Sequence, residues 1–286
     1  MRTCVVNRPA TQRCISVVRF WRVTLASAAF IATATPAGTS AVPATRDLRG
    51  IAQVGNSVLV ADRRANAILV VGKTHALRVL ARIPAPNALA KLDAGHIVVA
   101  SGRQLLRVDT GTGRTAVLAR LRTPGPIAAI APAADGMYVA AKHGTSVLRV
   151  DSHGKTRVVL ANRADIQGLL LQRRVLAVCQ QNGAWAGAKL GTFFTFDLSR
   201  GQVVVQQDRI GNPSGVAPAP SGWFVSDSVA GRISVVRRDG SIKRLVELPG
   251  VTALAGAPDG TIVATTLGGH VARIYPQTGT VVTIAG

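Results

Sequence analysis

One pattern recurs about every 40 residues along this chain of 286. A valine, followed by a small residue and then a variable one, closes a short apolar run in "VLVAD" (Val60), "IVVAS" (Val99), "MYVAA" (Val139), "LAVCQ" (Val178), "WFVSD" (Val225) and "TIVAT" (Val263). The successive spacings are 39, 40, 39, 47 and 38 residues. Each run sits second in a series of four. A first strand such as "GIAQV" or "SGVAPA" precedes it, a third such as "LLRVD" or "ISVVR" follows, and a glycine-bearing turn leads to a fourth such as "TRVVLAN". Four short strands cannot bury both faces of their sheet alone, so such units must pack side by side. Six units fill 47–83, 84–121, 122–163, 164–210, 211–249 and 250–286. The period predicts an all-β fold, a six-bladed β-propeller over residues 45–286 with four antiparallel strands per blade. A horseshoe solenoid would require polar caps, and neither terminal unit has that character.

Composition agrees with many short strands. Apolar residues make up 48% of the chain but aromatics only 4%, so Val, Ile, Leu and Ala must supply the core. The 29 glycines are scattered, as tight turns between strands require. Residues 1–44 read differently. "MRTCVVNRPATQRCISVVRFWR" carries five arginines and no acid, and the apolar run from Val23 to Ala34 has the length of a signal-peptide core. The expectation is an export signal cleaved near Ala34 or Ala44, the alternative being an uncleaved anchor. Cleavage after Ala44 would leave 29 basic against 13 acidic residues, a net charge of +16, and Cys179 as the one remaining cysteine. No intramolecular disulfide and no transmembrane span would then remain.

The segments "VLVADRRANAILVVG" and "WFVSDSVAGRISVVRRDG" resemble NHL repeats, and the chain from residue 45 onward is similar to the NHL and gluconolactonase-like superfamily of six-bladed propellers. That resemblance implies a fold shared by lactonases, lyases and binding domains, so function has to be argued from the site. In the gluconolactonase-like family it further implies a divalent metal in the central channel, held by Glu, Asn and Asp at the start of the innermost strands. Here those positions hold Arg49, Asn87, Ala128, Gln167, Ser214 and Thr252. None is a carboxylate, whereas a hard cation wants several oxygen ligands, carboxylates among them. Asp165 and Asn212, two positions upstream, are the nearest substitutes, and the single glutamate, Glu247, falls in an outermost strand.

Other chemistry is equally unsupported. The five histidines lack zinc-ligand spacing, no glycine-rich loop leads into a helix, and no serine nucleophile comes with a base. The sequence therefore favours a non-catalytic binding or scaffold module without metal or cofactor, the alternative being a divergent gluconolactonase-like or lyase-like enzyme. Blade four departs from the period by about eight extra residues, within "CQQNGAWAGAKLGTFF". Loops longer than a scaffold requires are where function tends to reside. Trp185, flanked by glycines, together with Arg49, Asn87, Gln167, Ser214 and Thr252, marks a polar, cationic face for a small molecule, a glycan or a protein. The charge also admits an anionic envelope polymer. Nucleic acid is disfavoured, because aromatics interleaved with the basic residues are missing and the chain reads as exported.

Asp227 ends the second strand of its unit. Its aligned positions hold Asp62, Ser101, Ala141, Gln180 and Thr265. Carboxylates in two non-adjacent blades do not converge on a metal, and both precede short polar loops. They are expected to accept backbone N–H groups as turn clasps.

Overall fold

A computed structural model describes residues 46–286 except 73, 164, 182–190 and 209. Residues 1–44, read above as an export segment, and Trp185 lie outside the described residues. The described residues form twenty-four strands in six four-stranded antiparallel sheets, each built from four consecutive strands. Blade one comprises β1 (Leu48–Val54), β2 (Ser57–Asp62), β3 (Ala67–Val71) and β4 (Leu77–Arg82). Blade two comprises β5 (Pro86–Lys91), β6 (His96–Ser101), β7 (Gln104–Asp109) and β8 (Thr115–Arg120). Blade three has β9 (Ile127–Ala133), β10 (Gly136–Ala141), β11 (Val147–Asp151) and β12 (Thr156–Leu160), and blade four β13 (Asp165–Gln172), β14 (Val175–Gln181), β15 (Gly191–Asp197) and β16 (Gln202–Gln207). Blade five has β17 (Pro213–Ala219), β18 (Gly222–Asp227), β19 (Arg232–Arg237) and β20 (Ile242–Glu247). Blade six ends the series with β21 (Val251–Gly256), β22 (Ile262–Thr266), β23 (Val271–Tyr275) and β24 (Thr280–Ala285). The six first strands touch in sequence around the ring, and β1 touches β21, so the propeller closes without exchanging a strand between blades.

Burial explains the residue pattern. Second strands are covered on both faces by neighbouring blades, so β2 and β18 read as nearly unbroken buried runs. Fourth strands are outermost; β8 exposes most of its length and β16 half of it. Each fourth strand also carries a β-bulge, at Leu80, Leu118, Val159, Val204, Leu245 and Ile284. A bulge twists an edge strand and interrupts its row of free N–H and C=O groups, which blunts edge-to-edge aggregation.

The strand register corrects one alignment. Val251 pairs with Thr266 as Leu48 pairs with Asp62 and Pro213 with Asp227. Thr266, not Thr265, is thus the blade-six counterpart of Asp227, and Ala264 takes the place of the recurring valine. The repeat "TIVAT" permits both alignments, and only the pairing partner separates them.

Candidate functional site

The six residues that open the innermost strands share one structural role. Arg49, Asn87, Ala128, Gln167, Ser214 and Thr252 are each the extra residue at a register shift between the first and second strands of their blade. A bulge residue is freed from the ladder and its side chain can be re-aimed. All six line one cavity of about 170 Å³ at a mouth of the central channel. The structure thus brings together Arg49, Asn87, Gln167, Ser214 and Thr252, the described members of the predicted set.

Several of these side chains also stitch the ring. Asn87 Nδ2 donates to the Ile127 carbonyl at 2.8 Å, Ser214 Oγ to the Val251 carbonyl at 3.4 Å, and Thr252 Oγ1 to the Leu48 carbonyl at 3.3 Å. Each acceptor belongs to the residue just before the bulge of the next blade, so the bond spans a blade seam. Such bonds fix the rotamers of the mouth and pre-organise its polar atoms.

A second tier comes from the loops between second and third strands. Arg63, Lys142, Gln181, Ser228 and Leu267 line the same mouth. Each is the residue immediately after its blade's counterpart of Asp227. Four are held alike: the backbone N–H of Arg63, Lys142, Ser228 and Leu267 donates to the carbonyl of Asp47, Pro126, Asn212 and Gly250, two residues upstream of the bulge. Sequence reasoning did not pick out this tier. Reading one position past each strand end would have found its members in blades one, three, four and five.

The mouth is cationic. Asp47 bridges Arg49 at 2.5 Å and Arg63 at 3.3 Å, holding two guanidinium groups with one carboxylate, and Lys142 adds a further exposed cation. Below lies an aliphatic tier. Alternation along the innermost strands places Ile51, Leu89, Ile130, Leu169, Val216 and Leu254 two residues beyond the bulges, facing the channel as an aliphatic ring. Between the two rings stand Gly50, Ala88, Ala129, Gly168, Gly215 and Ala253, whose small size lets neighbouring backbones approach. A Cβ on Gly215 would lie 2.8 Å from the Leu254 nitrogen. The aliphatic ring separates the polar mouth from a second cavity of about 340 Å³ at the other end, which is largely apolar.

The upstream polar residues do not enter the mouth. Asp165 accepts the His143 backbone N–H at 3.0 Å, and Asn212 donates its own N–H to Asp227 and its side-chain amide to Ser228. Asp227 is fully buried and accepts from the N–H groups of Gly211, Asn212 and Ala230 at 2.9–3.1 Å. Asp62 repeats the arrangement, accepting from Arg64, Ala65 and Asp47. Both clasp the loop that follows their strand and also the segment that leads into β1 or β17.

A family model described as the SMP-30/gluconolactonase/LRE-like region matches residues 98–286. The chain belongs to this family. Solved structures carry the same propeller. A nidogen/laminin complex aligns with TM-score 0.66 at 15% identity, covering 77% of this chain and 90% of that one. A streptogramin B lyase aligns with TM-score 0.61 at 13% identity, covering 84% and 83%. Virginiamycin B lyase from Staphylococcus aureus gives TM-score 0.60 at 15% identity, covering 84% of each chain. At these identities the likeness extends to the fold alone. No curated protein matches.

The family's divalent metal does not fit this mouth. Its lining offers neutral amide and hydroxyl oxygens beside Arg49, Arg63 and Lys142, and no carboxylate. Among the described residues no three His, Cys, Asp or Glu side chains cluster as metal ligands. A hard cation would there meet like charge, and the one carboxylate beside the mouth, Asp47, is already paired with Arg49 and Arg63. Cys179 stands behind the wall, fully buried, with Sγ 3.7 Å from the Gly215 carbonyl, and burial pushes its thiol well above the ordinary range. It is not a nucleophile at neutral pH.

Proposed function

We propose that this member of the family is a non-catalytic binding module whose loop face receives a protein or peptide and takes an acidic side chain into the mouth. The observation that carries this reading is the mouth itself: about 170 Å³, cationic, floored by aliphatic side chains and lined by no carboxylate. That volume falls below the several hundred Å³ typical of small-molecule sites but accommodates one side chain. Leu267 at the rim and Val229 in the neighbouring loop are 61% and 63% exposed, and supply apolar contact beside the charge. The nidogen/laminin neighbour supports the reading only through its fold, because that propeller is part of a protein complex. Residues 1–44 are proposed to direct export, on the strength of the apolar run from Val23 to Ala34.

The test is selection of a random-peptide phage library on the purified protein. Enriched peptides should share an acidic residue flanked by apolar ones and lose binding to an Arg49→Gln/Lys142→Gln variant of unchanged melting temperature. Enrichment without acids, or insensitivity to the double substitution, overturns the binding reading. Metal-dependent turnover in a lactone or cyclic-depsipeptide screen would establish the enzyme instead.

A further inference from the structure

We propose that the chain has a second binding site, a groove between blades four and five away from the polar mouth, which takes a small amphipathic carboxylate. The groove encloses about 550 Å³, against about 170 Å³ at the mouth, and so falls within the usual range of small-molecule sites. Val175 of β14, Val204 and Val205 of β16 and Trp223 of β18 supply its apolar walls. Val204 is the bulge residue of its strand and is 53% exposed. Arg173 and Arg238, from turns of blades four and five, also line the groove, and no acidic residue does. An apolar trough with two guanidinium groups and no acid in its lining is complementary to an apolar body with one anionic head.

Two further observations concern residues of this groove. Trp223 is 4% exposed and its indole Nε1 has no hydrogen-bond partner, although an indole N–H can only donate. A buried donor left unpaired is costly, and buried polar groups are otherwise nearly always satisfied. Arg173 has φ 56°, a left-handed conformation that bulky residues rarely adopt. That conformation holds the guanidinium-bearing residue at the turn between β13 and β14. The Gln207 side-chain amide donates to the Gly240 carbonyl and ties the same two blades together. This site is independent of the loop-face reading.

The probes are sodium octanoate and 1-octanol, which share a chain length and differ in the head. Calorimetry on the full chain should show saturable octanoate binding and at least tenfold weaker octanol binding. An Arg173→Gln/Arg238→Gln variant should lose octanoate affinity at least tenfold, while Arg114→Gln, a solvent-facing change in a blade-two turn, should not. Octanoate should alter tryptophan emission in a Trp185→Phe chain and not in a Trp223→Phe chain. Trp223→Phe keeps the ring packing, and its melting temperature shows whether the fold is retained. Absence of saturable binding, equal affinity for octanol, or indifference to the double arginine variant overturns the proposal.

Discussion

The Thr252 hydroxyl lies 3.3 Å from the Leu48 carbonyl and 2.8 Å from the Thr265 hydroxyl, joining residues 204 positions apart across the seam where the ring closes. The other five seams are also crossed by the chain; this one is held by side-chain bonds and packing between β1 and β21. Thr252→Val keeps the shape and removes the bond, leaving a partly buried carbonyl short of its donor. The expected loss is about 1–2 kcal/mol, a drop in melting temperature of about 2–6 °C at this size. Ser214→Ala, at a seam the chain does cross, should cost less. Hydrogen exchange should show β1 and β21 opening before the rest in Thr252→Val. Equal protection of all six first strands would refute a weak seam.

Steric room at the waist gives a second prediction. A Cβ on Gly215 would meet the Leu254 nitrogen at 2.8 Å, Ala253 Cα at 3.0 Å and Ser226 Oγ at 3.0 Å, two of them backbone atoms that cannot rotate away. Gly215→Ala should cost about 1–3 kcal/mol, the range for overpacking. Ala253→Gly at the equivalent position of blade six should cost less, through backbone entropy alone. Denaturant midpoints of the two variants check the order.

Much of this was legible in the sequence, and what escaped has a physical cause. The period located all six bulge residues, because a variable residue followed by a glycine or alanine and then a branched aliphatic recurs at 49–51, 87–89, 128–130, 167–169, 214–216 and 252–254. Strand pairing, by contrast, is a relation between two segments. "TIVAT" alone cannot tell whether Thr265 or Thr266 opposes Val251, and a one-residue slip changes which side chain reaches the mouth. Leu267 was missed through that ambiguity. The groove at Trp223 was invisible for a different reason: it is made by side chains from two blades whose spacing no periodicity encodes.

Acid should act through the turns. Asp109, Asp151 and Asp239 accept backbone N–H bonds from Thr112, Lys155 and Ser241, and Asp197 and Asp259 bond chiefly to the hydroxyls of Ser199 and Thr261. Each carboxyl is thereby held below its ordinary value of 3.8. As pH falls through that value the unfolded chain takes up protons before the folded one does. Stability contributed by these groups is therefore complete above 3.8 and lost below it. The melting temperature should be flat with respect to these groups from about pH 5 to 8 and fall below pH 4. Asp109→Asn and Asp151→Asn together should flatten part of that fall. A double variant with an unchanged acid limb would exclude the turns as its source.

Asp227 supplies the sharpest separation of structure from chemistry. Its carboxylate is 1% exposed and accepts three backbone N–H groups, with Arg232 3.6 Å away. Asp227→Ala would strand those donors in a buried site and leave a small void. The expected cost is about 3 kcal/mol or more, since each unsatisfied buried group costs about 1–3 kcal/mol. Asp227→Asn keeps an acceptor and the volume, and should recover roughly half of that loss. Peptide binding at the mouth should be unchanged in both variants wherever the fold persists, because Asp227 holds the loop behind Ser228 and does not line the cavity. Calorimetric melts paired with peptide titration at a temperature well below each transition measure the two effects separately. A binding loss in Asp227→Asn that exceeds its loss of stability would place the carboxylate in the functional site.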